Sequence, residues 1–257
     1  MPTSEIVIFI TVGILSGFMN TAASSGSSIT LPIMILLGID PIIANGTNRL
    51  PVLIGFLTSV ANYQIKGKIP WRDTVAMILP ISAGALLGAL YIESLPSLYS
   101  YIFLGIALIL SIILISLNSQ KFLNNSFSTN QKINIKSFLI FFIVGIWGGM
   151  IVLDSALFIL FTLVLFMKYE FIQANIIKSV LVLAISIVSI FTFAIEGNIN
   201  WQVGLLLSAG SVLGSYIGSN FVLIQNSKIW IYRIIKVIIL TELTTLLVKS
   251  IPSLAFG

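Results

Sequence analysis

The chain has 257 residues, with 13 Lys and Arg against 8 Asp and Glu for a net charge of +5, and it contains neither His nor Cys. Its 58% hydrophobic and 8% charged shares, with a mean hydropathy of +1.11, set it apart from soluble domains, which run at about 25% charged. An integral membrane protein is expected, and disulfides, thiolate or imidazole zinc centres, His-based nucleophile pairs and His-ligated haem are excluded.

Apolar runs fall at 4–23, 27–38, 50–65, 74–92, 98–117, 137–153, 155–167, 179–195, 202–224 and 229–249. A helix crossing a hydrocarbon core of about 30 Å needs about 20 residues, which most of these runs supply. The runs at 27–38 and 155–167 are short, and whether they span or re-enter is left open. Thr21-Ala22-Ala23-Ser24 resembles a cleavage site. However, Met1 to Glu5 carries no Lys or Arg and the first run has a counterpart later in the chain, so it is read as retained. The long polar stretch 118–136 reads as a cytoplasmic linker between an N-terminal transmembrane unit, 1–117, and a C-terminal one, 137–257.

The two units are related. A displacement of 130 positions lays Asp40 on Glu170, Ala44-Asn45 on Ala174-Asn175, Ser59 on Ser189, Gly67 on Gly197, Trp71 on Trp201, Gly84 on Gly214 and Gly88 on Gly218, without a gap. Chance overlap of two greasy segments would match Leu and Ile, whereas matched Gly, Trp and Asn positions indicate duplication. The loop with Lys66, Lys68 and Arg72 corresponds to one, 196–201, with no Lys or Arg and one Glu, so equivalent loops are expected on opposite sides of the membrane. Taking basic loops as cytoplasmic puts 66–73, 118–136, 168–178 and 225–236 inside, and 39–49, 93–97, 196–201 and both termini outside. The expected fold is all-α: a polytopic helical membrane protein of two inverted repeats, each opening with a helix hairpin or broken helix followed by three spanning helices.

The strings Gly17-Phe18, Leu31-Pro32, Gly38-Ile39-Asp40-Pro41, Ala44-Asn45-Gly46-Thr47-Asn48 and Gly67-Lys68-Ile69-Pro70-Trp71-Arg72 resemble the TauE/SafE family of membrane permeases, over nearly the whole chain. The resemblance implies about eight helices in two homologous halves. It also implies transport of sulfite, sulfonates or related small organic anions across the cytoplasmic membrane of a bacterium or archaeon. The chain departs from the family pattern at Ser24-Ser25-Gly26-Ser27-Ser28, Leu153-Asp154-Ser155-Ala156 and Ala174-Asn175-Ile176-Ile177-Lys178, where glycine-rich or A-x-G-T-like strings are expected.

Candidate substrate ligands cluster at the hairpins. Asn20, Ser24, Ser25, Gly26, Ser27 and Ser28 put amides, hydroxyls and backbone N–H groups at membrane depth, where unpaired polar groups are costly and a half-helix N-terminus favours an anion. The alternative is that small residues only let helices pack closely. Ser155 lies opposite, and the two hairpin tips are expected to meet near the midplane. Asn45, Gly46, Thr47, Asn48 and Arg49, with Asn175 and Lys178, open the helix after each hairpin; Arg49 and Lys178 supply positive charge for an oxyanion or else snorkel to headgroups. Asp154 and Glu242 are carboxylates inside apolar runs, hence candidates for coupling transport to a proton or a sodium ion. The rows Gly84/Gly88 and Gly210/Gly214/Gly218 are read as close helix contacts. No nucleotide motif, metal cluster or cofactor signature is present, and no nucleic-acid partner is expected. The leading reading is a secondary carrier of a small anion in the lipid bilayer, not an enzyme. A passive anion channel, a sodium-coupled carrier and, further off, a membrane-embedded enzyme are the alternatives, and a homodimer is the larger assembly left open.

Overall fold

The computed structural model describes residues 3–96, 99, 102–107, 109–110, 113, 134–224, 227–235 and 237, and the regular elements among them are helices. They are α1 (Thr3–Ala23), α2 (Ser27–Leu36), α3 (Pro41–Ile65), α4 (Trp71–Glu93), α5 (Ile135–Met150), α6 (Ser155–Phe161) running into a π-helical turn (Thr162–Phe166), α7 (Phe171–Ile195) and α8 (Trp201–Val222). Of the expected spans 98–117 and 229–249, residues 99, 102–107, 109–110 and 113 and residues 229–235 and 237 are described, and they are helical; the linker 118–136 lies largely outside the described residues and Glu242 wholly outside them.

Among the described residues, four helices, α1, α4, α7 and α8, are long and apolar enough to cross a membrane. Their outward faces carry exposed Leu79, Phe191, Leu205 and Ile217, as expected of surface in contact with hydrocarbon. Helix α3 matches α7 in length, 25 residues each, but carries Asn45, Asn48, Arg49 and Asn62 on buried positions.

Local chemistry starts and stops these helices at corresponding places. Asp40 accepts the Ile42 N–H at 2.9 Å, ahead of Pro41, to open α3; Glu170 accepts the N–H groups of Ile172 and Gln173 to open α7. Both are N-caps that satisfy donors the helix leaves free. At the other end, Gly67 and Gly197 take φ of 61° and 74°. Their N–H groups and those of the next residues return to Gln64 and Tyr63, and to Ala194 and Phe193. This is a Schellman closure, for which a residue without Cβ is favoured.

The left-handed residues recur at the same displacement of 130 as the matched sequence positions, including places where the residues differ. Among the described residues, positive φ occurs at Ser24, Asp154, Lys168, Gly38, Gly67 and Gly197. These are three pairs, 24 with 154, 38 with 168 and 67 with 197, each 130 apart. Two of the pairs match in backbone conformation although their side chains differ.

The packing exchanges when the halves are exchanged. Helix α1 packs on α8, and its counterpart α5 packs on α4; α3 packs on α8 and α7 on α4. A Cβ added to Gly13, Gly17, Gly210 or Gly214 would run into backbone of the facing helix, and the same holds for Gly84, Gly88, Gly145 and Gly149 in the other pair. The spacing-of-four rows therefore act as close contacts. The order of these contacts makes α1 and α8 run alongside in the same direction. Helices α3 and α7 run in opposite directions, since Arg49 lies over the Phe193 ring and Lys178 near the Phe56 ring.

Two expectations are corrected here. The charge pattern assigns segments 39–49 and 168–178 to loops, although Asn45–Arg49 and Asn175–Lys178 also read as opening the following helices; α3 begins at Pro41 and α7 at Phe171, so these residues lie inside helices and the connecting segments are shorter than the charge pattern suggests. Arg49 and Lys178 are 1% and 0% exposed; neither snorkels, and Lys178 drops out of the basic-loop count. Polar residues at these positions suggested loops because hydropathy cannot see the buried partners that satisfy them.

Candidate functional site

The chain breaks its helical hydrogen bonding twice inside the bundle, between α1 and α2 and between α5 and α6. Each break leaves carbonyl groups at a helix C-terminus and N–H groups beyond it to be paired. In both cases the partners come from the central helix of the other unit.

At the first break, Lys178 of α7 donates to the carbonyl oxygens of Asn20 and Thr21 at 3.1 and 2.9 Å and to Ser24 Oγ at 3.1 Å. Asn175 Nδ2 donates to the Ala22 carbonyl at 2.9 Å. At the second, Arg49 of α3 donates from Nη1 to the Gly148 carbonyl at 3.1 Å and from Nη2 to those of Gly149 and Met150 at 2.5 and 3.3 Å. Asn45 donates to the Met150 carbonyl and accepts the Val152 N–H, at 2.8 and 3.0 Å. Two cations thus sit at the negative ends of α1 and α5, where the helix dipole favours them.

The five residues Asn45 to Arg49 form a hub because successive positions on a helix point in different directions. Asn45 and Arg49 hold the second break. Gly46 lies so close to the Asn198 carbonyl and the Phe193 ring that a Cβ would collide with both. Thr47 Oγ1 accepts the Asn200 N–H at 2.8 Å. Asn48 turns the other way, donating to Ser27 Oγ at 2.9 Å and accepting from Thr30 Oγ1 at 2.7 Å, which pins the first turn of α2 to its own unit's α3. Thr30 was not among the sequence candidates; its place one helical turn beyond Ser27 is the signal that links it to the same partner.

Other candidates serve the breaks themselves. Asn20 Oδ1 accepts the Gly26 N–H at 2.9 Å, Ser25 Oγ donates to the Ala23 carbonyl and Ser155 Oγ to the Val152 carbonyl. Gly26 packs against the Ser16 carbonyl and Asn20 with no room for a Cβ. Ser24 and Asp154, buried at 1% each, occupy equivalent left-handed positions, φ 67° and 55°. Left at the first break are three buried polar atoms without a hydrogen-bond partner: Thr21 Oγ1, Ser28 Oγ and Asn175 Oδ1. They amount to two hydroxyls that donate or accept and one amide oxygen.

A further group was missed in the sequence because it closes an apolar run. Glu93, the last residue of α4, accepts from Asn198 Nδ2 through Oε2 and interacts electrostatically with Arg49. Its Oε1 and the Arg49 Nε are buried without hydrogen-bond partners. No group of three or more His, Cys, Asp or Glu that could hold a metal occurs among the described residues.

Comparison with known proteins gives this architecture a context. The family model for the sulfite exporter TauE/SafE matches residues 9–245. A "Probable membrane transporter protein ORF9" from a Sinorhizobium species is 26% identical over 219 residues, 84% of this chain and 82% of the relative. A "Probable membrane transporter protein" from Haemophilus influenzae is 25% identical over 224 residues, 87% of this chain and 88% of the relative. No solved structure matches the chain. A match spanning both units, together with several apolar helices and two partner-held breaks, identifies the chain as a multi-pass membrane transporter of the TauE/SafE sulfite exporter family.

Proposed function

We propose that the protein is a secondary carrier that moves a small organosulfur anion, sulfite or a sulfonate, across the cytoplasmic membrane by alternating access, with a proton as the coupling ion. The observation that carries this reading is the reciprocal clipping of the breaks: α7 of one unit holds the α1 break of the other, and α3 holds the α5 break. Rocking one unit against the other therefore moves both breaks together, and irregular backbone at membrane depth is tolerated where it lines a polar path. The antiparallel run of α3 and α7 and the basic loop at 66–73 support units threaded in opposite senses, with both termini outside.

Substrate contacts are assigned to the first break. There the hydroxyls of Thr21 and Ser28 and the amide oxygen of Asn175 stand without protein partners beside Ser24, Ser25 and Ser27. Asp154, at the corresponding turn of the second unit, is a candidate for the coupling ion by position. No nucleotide motif supplies an alternative energy source within this chain.

Reconstituted protein should accumulate sulfite, sulfoacetate or taurine against a concentration gradient when a pH gradient is imposed. The uptake should saturate and should collapse with a protonophore. Flux that only equilibrates the anion and ignores pH would assign a channel instead, and no saturable flux of any organosulfur anion would remove the reading.

A further inference from the structure

We propose that the Arg49 Nε and Glu93 Oε1 atoms form a subsite that takes up one oxyanion together with one proton. This rests on the carrier reading above and goes beyond it: it adds, beside the second break, an oxyanion position distinct from the contacts at the first break, and names the group that loads the coupling proton there.

Three fixed contacts shape the subsite. Both Nη atoms of Arg49 are committed to the carbonyls of Gly148, Gly149 and Met150. One face of the guanidinium lies over Phe193, 4.4 Å from the ring centroid. The remaining edge is Nε–H, a buried donor with no partner. On the other side Asn198 occupies Oε2 of Glu93 and leaves Oε1, a buried acceptor with no partner. Asn198 also packs its carbonyl against Gly46, one helical turn before Arg49, so carboxylate and guanidinium belong to one cluster at the end of α4.

The charges decide what fits. With Glu93 ionised, Arg49 and Glu93 cancel, and an incoming anion meets a carboxylate oxygen that can only accept. When a proton from solution adds to Oε1, the new O–H donates to one anion oxygen while Nε–H donates to another. The site is then +1 before the anion arrives and neutral afterwards. On release the anion leaves and the proton returns to solution, so one proton moves per anion. A sulfonate, which carries no proton of its own in this range, needs the proton on Glu93; for sulfite the same proton lies between Oε1 and the anion.

The charged groups around Glu93 are few. Arg49 approaches from α3 and Glu196 from the end of α7, and both interact with it electrostatically. Arg72 and Asp73 lie at the opposite end of α4, Lys136 at the far end of α5, and Asp154 follows α5 along the chain. Glu93, the carboxylate that interacts with the committed arginine, is therefore the simplest proton store, with Asp154 as its rival.

The test is binding of methanesulfonate to the purified full-length protein, by calorimetry in buffers of different ionisation enthalpy. Wild type should take up about one proton per anion, its affinity changing about tenfold per pH unit above the titration of Glu93. Glu93→Gln, which carries a permanent neutral N–H donor, should bind with less than about twofold change per pH unit and no proton uptake. Glu93→Asp should keep the proton at weaker affinity, which covers the case where the amide does not fold. Absence of binding or of proton uptake in wild type, or uptake that survives Glu93→Gln and vanishes in Asp154→Asn, overturns the assignment. Proton-linked binding without any flux in proteoliposomes would leave the subsite standing and remove the carrier reading.

Discussion

Asn45 and Asn175 occupy equivalent places in the two units but carry unequal loads. Asn45 uses both ends of its amide, giving to the Met150 carbonyl and taking from the Val152 N–H, whereas Asn175 gives to Ala22 and leaves Oδ1 unpaired in the protein. Each buried backbone group left without a partner costs about 1–3 kcal/mol. Asn45→Ala orphans the Val152 N–H and leaves the Met150 carbonyl to Arg49 alone, and Asn175→Ala orphans the Ala22 carbonyl, so each is expected to destabilise by about 1–3 kcal/mol, with Asn45→Ala, which gives up two hydrogen bonds, the costlier. Thermal unfolding in detergent should rank wild type above Asn175→Ala and that above Asn45→Ala; equal losses would show that the second amide end contributes nothing. The two cations differ in the same way. Arg49 spreads three hydrogen bonds over one carbonyl cluster because its planar fork fits one, while Lys178, at the register position of Asn48, reaches two carbonyls and a hydroxyl from a single ammonium.

Helix pairs in this bundle are held by shape. In hydrocarbon there is no hydrophobic gain from bringing two apolar helices together, so close backbone approach and side-chain hydrogen bonds do the joining. The α1–α8 seam has both: its glycines meet opposing backbone, and Ser215 donates to the Gly17 carbonyl at 3.1 Å. Gly214→Leu places a side chain where the Ile14 carbonyl and the Phe18 N–H stand. Overpacking of this kind costs about 1–3 kcal/mol or more, because a facing backbone cannot turn aside as a side chain can. The neighbouring Leu213, 56% exposed, provides the control. Leu213→Ala should leave the melting temperature and the yield of monodisperse protein near wild type, and Gly214→Leu should lower both; similar values for the two would mean that the seam is loose.

The helix pairings of the molecule recur between its halves, α1 on α8 and α3 on α8 corresponding to α5 on α4 and α7 on α4. Lys66 and Glu196 are C-caps of α3 and α7, equivalent and both exposed. If the units thread the bilayer in opposite senses, single cysteines placed there will react with a membrane-impermeant maleimide from opposite sides. Lys66→Cys should label only from the cytoplasmic side and Glu196→Cys only from outside, and labelling of both from one face would refute the inversion. The chain has no cysteine of its own, so the experiment needs no background substitutions.

Membrane location and the glycine seams were legible in the residues alone. Hydropathy and a spacing of four are both properties of the chain read along its length. The αL pairs 24/154 and 38/168 were hidden, because Ser, Asp and Lys do not announce positive φ as Gly does. The burial of Asn45–Arg49 and Lys178 was decided only by the tertiary structure. A polar residue in a greasy chain reads as loop or surface until its partner is seen, and here the partners are carbonyls about a hundred or more positions away, in the other half. Glu93 was passed over for the same reason: at the end of an apolar run an acid looks like a loop residue, and only folding brings Arg49 and Asn198 to it.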